Sequence, residues 1–211
     1  MNHSNCWFAA LLVFAGMMIG CNASTGKRIL QSTSEARARD ALVQAMSALL
    51  GAKSFRIRMD ATLAGEKMTW ETADIVAPDR LHMNAMDDFE QISIGPDMWR
   101  KYPNLPWHKF EVDYDKSIVK IRNPKAVDIV RQSTDVMLIG PDTLDGLPMT
   151  VYQYTLPDGF GAGSPIHYKV WVAADFLPRR VEFETQVSGM ALKASTSYFD
   201  YNVDIKIEPP K

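Results

Sequence analysis

The side chains that could do chemistry in this 211-residue sequence are few and scattered. There are two cysteines, Cys6 and Cys21. Cys21 directly follows Gly20 at the end of an apolar run. The histidines, His3, His82, His108 and His167, are isolated from one another, and no H-E-x-x-H spacing occurs. No metal site is therefore expected. Asp87 and Asp88 are adjacent. On a strand they would point to opposite faces, which makes a poor acid–base pair and a better turn. The nucleophile elbow G-x-S-x-G is missing. "GFGAGS" (Gly159 to Ser164) has the glycines of a phosphate-cradling loop. It leads into the strand-like "IHYKVWV", not into Lys-Ser/Thr and a helix, so it reads as a hairpin loop. Arg179 and Arg180 read as a solvated strand edge, with contact to an anionic headgroup as the sharper alternative. No catalytic constellation forms from these pieces, so neither an enzyme nor a cofactor is expected.

Charge points the same way. The formal net charge is -2 and the isoelectric point near 6.1. This is no basic footprint for nucleic acid. From Trp7 to Ile19 every residue is apolar or glycine. That is the length of a signal-peptide apolar region and short of the ~20 residues that span a bilayer. Residues 22–31 are small and polar, as a tether would be. The remaining 180 or so residues suffice for one domain with a sizeable core.

The elements that must position any site follow from periodicity. "STSE" (Ser32 to Glu35) has capping-box spacing, and Ala41, Leu42, Ala45, Met46, Leu49 and Leu50 recur on one helical face up to Gly51. The period then switches to two. Phe55, Ile57, Met59, Ala61 and Leu63 alternate with Arg56, Arg58, Asp60 and Thr62, a strand with one apolar and one wet face. "AGEK" and "APDR" turn the chain into strands through Met68, Trp70 and Thr72, then Leu81, Met83 and Ala85. "FEQISIG", "DMWRKY" and "WHKFEV" continue an antiparallel meander. Asn123 and Pro124 open a short amphipathic helix carrying Ala126, Val127, Ile129 and Val130. Strands resume to the end of the chain. On composition alone the methionines read as ordinary core, although Met also lines surfaces that accept varied apolar shapes.

Two resemblances sharpen this reading. "MIGC" resembles the lipobox of bacterial lipoproteins, with Met18 where Leu is usual. It implies a signal peptide over residues 1–20, lipidation of Cys21 and a tether over 21–31; an uncleaved membrane anchor is the alternative. Cys6 would then be lost, leaving no free thiol for a disulfide or a metal. Asn22, not Asp, after the cysteine resembles outer-membrane sorting, facing the periplasm in a cell with two membranes.

The domain itself, residues 32–211, resembles the LolA/LolB-like lipoprotein superfamily, including the LppX/LprG type. The stretches that carry this are "ISIGPDMWRKYPNLPWHKF", "LIGPDTLDGLPMTVYQYTLP", "YKVWVAADFLPRRVEFET" and "YFDYNVDIKIEPP". Phe176 stands where that group usually has Gly. The resemblance implies an α+β fold: a strongly curved antiparallel sheet, a half barrel, with helices packed on its concave face. It also implies an apolar cavity holding a lipid or a lipoprotein acyl chain, with no chemistry. Phe55, Ile57, Met59, Trp70, Met83 and Ile94 are the expected lining. The partners expected are the membrane, through the N-terminal lipid, and a hydrophobic ligand, with neither nucleic acid nor metal. The same fold also serves in envelope-stress sensing, so a sensor partner without lipid cargo is the competing expectation.

Overall fold

The computed structural model describes residues 33–111, 125–157 and 164–211. Cys21 with its signal segment and tether, the Asn123–Pro124 helix start and most of the "GFGAGS" loop lie outside the described residues.

Helix α1 spans Thr33–Gly51. Leu42, Ala45, Met46 and Leu49, spaced by three and four, are all buried, as one stripe of an amphipathic helix must be. The helix closes at Gly51, where the Ala52 N–H donates to the Ala48 carbonyl at 3.0 Å. The second helix, α2, spans Lys125–Gln132 and buries Ala126 and Val130. Arg39 of α1 joins the two. Its Nη1 donates to the carbonyls of Val130, Arg131 and Ser133 at 3.0, 3.0 and 2.8 Å, and its Nη2 meets Glu35 at 2.7 Å. A cation at these carbonyls satisfies acceptors that the end of a helix leaves orphaned.

Among the described residues eleven strands form one sheet: β1 Ser54–Leu63, β2 Glu66–Val76, β3 Arg80–Ala85, β4 Phe89–Ile94, β5 Asp97–Lys101, β6 His108–Glu111, β7 Thr134–Leu144, β8 Leu147–Leu156, β9 Ile166–Val172, β10 Pro178–Val187 and β11 Met190–Phe199. The order is β6-β5-β4-β3-β2-β1-β11-β10-β9-β8-β7, with every neighbouring pair antiparallel. First and last strands therefore meet in the middle. Among the described residues β6 and β7 are the end strands, and the sheet curves without closing. This is the α+β architecture expected, with the helices on the concave side. Their main contacts run from α1 to β7, α2 and β10.

Three local readings change. β11 ends at Phe199, and the chain leaves the sheet through Asp200 and Asn202, both at positive φ. The segment that follows is tied back by the Asn202 N–H to the Ser54 carbonyl at 2.8 Å and by Arg80 Nη1 to the Ile207 carbonyl at 2.7 Å. Arg179 and Arg180 lie on no edge, because β10 is flanked by β9 and β11. Arg179 instead meets Asp175 at 2.7 Å and lies over the Tyr201 ring. Phe176, finally, takes φ +63 in the β9–β10 turn, the left-handed conformation that a glycine there would adopt without strain. Asp87 and Asp88 make the turn expected of them, both at positive φ.

Candidate functional site

Directly opposed residues of an antiparallel pair share a face, so the register alone draws the concave surface. One row runs Phe89, Ala85, Glu71, Met59, Thr196, Val181, Val170 and Tyr152 from β4 to β8. A second runs His108, Arg100, Gln91, Met83, Ala73, Ile57 and Tyr198 from β6 to β11. A third runs Phe110, Met98, Ser93, Leu81, Ile75 and Phe55 from β6 to β1.

The two halves of this surface differ. Over β8 to β11 it is filled by packed rings and helix. Tyr154 stacks on Tyr168 at 4.7 Å, Tyr168 tilts against Phe183 at 5.8 Å, and Leu42 and Met46 of α1 belong to the same buried cluster. Burial pushes the phenols of Tyr154, Tyr168 and Tyr198 above their ordinary range.

Over β1 to β5 the surface combines flexible apolar side chains with polar groups. Met59, Met83 and Met98 are all buried. Beside them, Gln91 and Ser93 are 4% and 6% exposed. Gln91 Nε2 donates to Ser93 Oγ at 3.3 Å, and Arg100 Nε donates to Gln91 Oε1 at 3.0 Å. The Arg100 guanidinium also lies over the Phe110 ring at 5.6 Å. Glu71 is 7% exposed. Its Oε2 is buried with no hydrogen-bond partner, and burial pushes its carboxyl up to about 7.

Of the lining expected from the sequence, Phe55 and Met83 are buried in the central core cluster, with Ile57 packed against it, and Met59 is buried outside that cluster. The arginines between them face outward: Arg56 pairs with Asp74 at 3.0 Å and Asp200 at 2.6 Å. Two positions change. Trp70 is paired with Asp60, so its register position belongs to the row of Arg56, Arg58 and Asp60. Ile94 is paired with Arg80 on the outer row, which leaves Ser93 as the neighbouring concave position. Sequence reading missed Glu71, Gln91, Ser93 and Arg100. The signal that could have found them is their own alternation, Glu71 with Ala73 and Ile75, and Gln91 with Ser93.

Among the described residues no group of three or more His, Cys, Asp or Glu is placed to hold a metal ion. His82 Nε2 lies 2.7 Å from Glu90, and each of these pairs with an outer-row position, Ile92 and Asn84. No described helix is long and apolar enough to cross a membrane.

No protein-family model matches the sequence, and no curated protein matches it. Solved structures do match. The chain is similar to LprF from Mycobacterium bovis, with 16% identity, a TM-score of 0.60, and coverage of 83% of this chain and 97% of the other. It is similar as well to the Mycobacterium tuberculosis lipoprotein LppX, with 15% identity, a TM-score of 0.63, and coverage of 83% and 100%. The chain thus has the fold of the LprF and LppX structures. At such identities the likeness concerns the fold and carries over no ligand.

Proposed function

We propose that this protein is a lipoprotein, anchored to the membrane through Cys21, that binds a lipid or lipoprotein acyl chain and carries or sorts it within the cell envelope. Its place would be the outer membrane, facing the periplasm, in a cell with two membranes. The observation that carries the reading is the convergence of Phe55, Met59, Met83 and Met98 on one half of a concave sheet face. Each buried methylene is worth about 0.8 kcal/mol, so a dozen contribute roughly 10 kcal/mol before the cost of ordering the chain. Methionine adapts to a flexible chain more readily than branched side chains do. Binding of this kind requires no nucleophile and no metal.

A partner protein in place of a lipid is favoured by one feature, β7, an end strand among the described residues, where Met137, Leu138 and Ile139 are exposed in succession. An exposed apolar edge invites strand addition. Mass spectrometry of an organic extract from the purified, tag-free protein separates the two. The acyl reading expects a stoichiometric lipid; a lipid-free protein that co-purifies with a protein partner would replace it with the second.

A further inference from the structure

Glu71 is out of place in an ordinary core. Its register neighbours are Met59 on β1 and Ala85 on β3, and Ala73 follows it on the same face of β2. None of these can donate a side-chain hydrogen bond or carries a charge. Its side chain is more than nine-tenths buried, and Oε2 has no partner. An unsatisfied buried acceptor is costly, and folded proteins rarely keep one without use. The small side chains of Ala73 and Ala85 beside it leave the carboxyl flanked by less bulk than a Leu or Met would supply. Of the other polar positions on this face, Thr69 lies two residues back on β2, Thr196 lies in the same row two strands away, about 10 Å between backbones, and Gln91 has its own partners in Ser93 and Arg100. Gln91 lies two strands away and one residue pair along the strand, so the two backbones are about 12 Å apart at usual sheet spacings.

Resting on the acyl-binding reading above, we propose that Glu71 is the polar anchor of that site. Its carboxyl accepts a hydrogen bond from a hydroxyl or amide N–H on an otherwise apolar ligand whose chain lies over Met59, Met83 and Met98. The ligand would then be a donor-bearing amphiphile, such as a partial glyceride or an N-acyl amide. A fully esterified chain offers no donor. A ligand ending in a carboxylate or phosphate would put like charge beside Glu71 once the latter ionises. A buried hydrogen bond to such an acceptor, set against an orphaned one, is worth roughly a factor of ten in affinity.

The test uses three probes with one oleoyl chain: 1-monooleoylglycerol, with hydroxyl donors; N-methyl oleamide, with an amide donor; and methyl oleate, with none. Binding to the full wild-type chain is compared with Glu71→Leu and Glu71→Gln at pH 8, where the Glu71 carboxyl is ionised and can only accept, with thermal unfolding as the folding control. Wild type should bind at least one donor probe about tenfold more tightly than methyl oleate, and which one identifies the source of the donor. Glu71→Leu should bind all three alike while keeping its methyl oleate affinity, and Glu71→Gln, which retains an acceptor, should keep most of the preference. Equal binding of the three probes by wild type overturns the anchor and leaves the acyl reading standing. That comparison needs no variant to fold. A preference that survives in Glu71→Leu also overturns it. Failure of all three probes to bind overturns the acyl reading, and the anchor with it.

Discussion

Met59 and Glu71 stand directly opposite each other across the β1–β2 ladder, a thioether and a carboxyl in the middle of the concave face. Burial holds that carboxyl at about 7 against an ordinary 4.5, so the folded protein takes up a proton that the unfolded chain has released. Stability from this source is fully present below about pH 4.5 and is lost as pH rises to about 7, because the native state there binds more protons than the unfolded state. The loss is on the order of 3 kcal/mol. Denaturant unfolding at pH 5 and pH 8 should show wild type losing that much more than Glu71→Gln, which cannot ionise. Parallel pH profiles for the two proteins would contradict the burial of Glu71.

Met83 tests the apolar lining. Met83→Asp places a charge among apolar groups, where it is disfavoured or driven to neutrality. Uptake of a fluorescent acyl probe should fall by more than the accompanying loss of stability. Met83→Leu conserves volume and should cost less than ~1.5 kcal/mol in stability, with probe binding retained. Equal binding by both variants would remove Met83 from the lining.

The register of β1 makes a paired prediction. Phe55 is buried against the rings of Tyr198 and Tyr201, at 6.1 and 5.7 Å. Phe55→Ala should cost about 3–5 kcal/mol. The adjacent Arg56, held in exposed ion pairs with Asp74 and Asp200, should give an alanine variant with an unfolding midpoint close to wild type, since such pairs add little. The reverse order of effects in urea titrations would mean that the faces of β1 are exchanged.

Cys21 carries the anchoring part of the proposal. Cys21→Ser should leave the precursor uncleaved by lipoprotein signal peptidase, or release the chain from the detergent phase if another peptidase cuts it. A variant that fractionates and migrates like wild type would remove the lipid anchor.

Much of this architecture was legible in the sequence, because a half-buried strand announces itself by alternation and a helix by its stripe. β1 is the clearest case: Phe55, Ile57 and Met59 alternate with charged residues, and the structure keeps that phase. β2 shows where alternation fails. Read straight through the turn, Trp70 would stand opposite Met59. Met68 is an extra residue in the ladder, however, since Ala61 pairs with Thr69 while Thr62 pairs with Lys67. A one-residue bulge exchanges the faces of everything beyond it, so Glu71 takes the concave position. Between β3 and β4 the three residues Met86 to Asp88 place Phe89 four positions after Ala85, so the odd-numbered positions stay concave, and Gln91 and Ser93 face inward in place of Ile94. Both errors came from assigning apolar residues to the inside. The chain departs from that rule where polar groups line the concave face, and such departures concentrate at sites that serve binding more than folding. Arg39 was equally invisible, because its partners lie 91 to 94 residues away along the chain.

If the concave face of β1 to β5 holds an acyl chain, photo-crosslinking will mark it there. A palmitoyl probe with a diazirine near its methyl end would be bound to the wild-type protein, irradiated, and its attachment sites mapped by peptide mass spectrometry. Crosslinks are expected on Met59, Met83, Met98 and their concave neighbours, reduced by competing unlabelled palmitoyl ligand. Crosslinks confined to the separate cluster of Met149, Val151 and Trp171, or to the exposed Met137, Leu138 and Ile139 of β7, would contradict it, as would a probe that attaches nowhere.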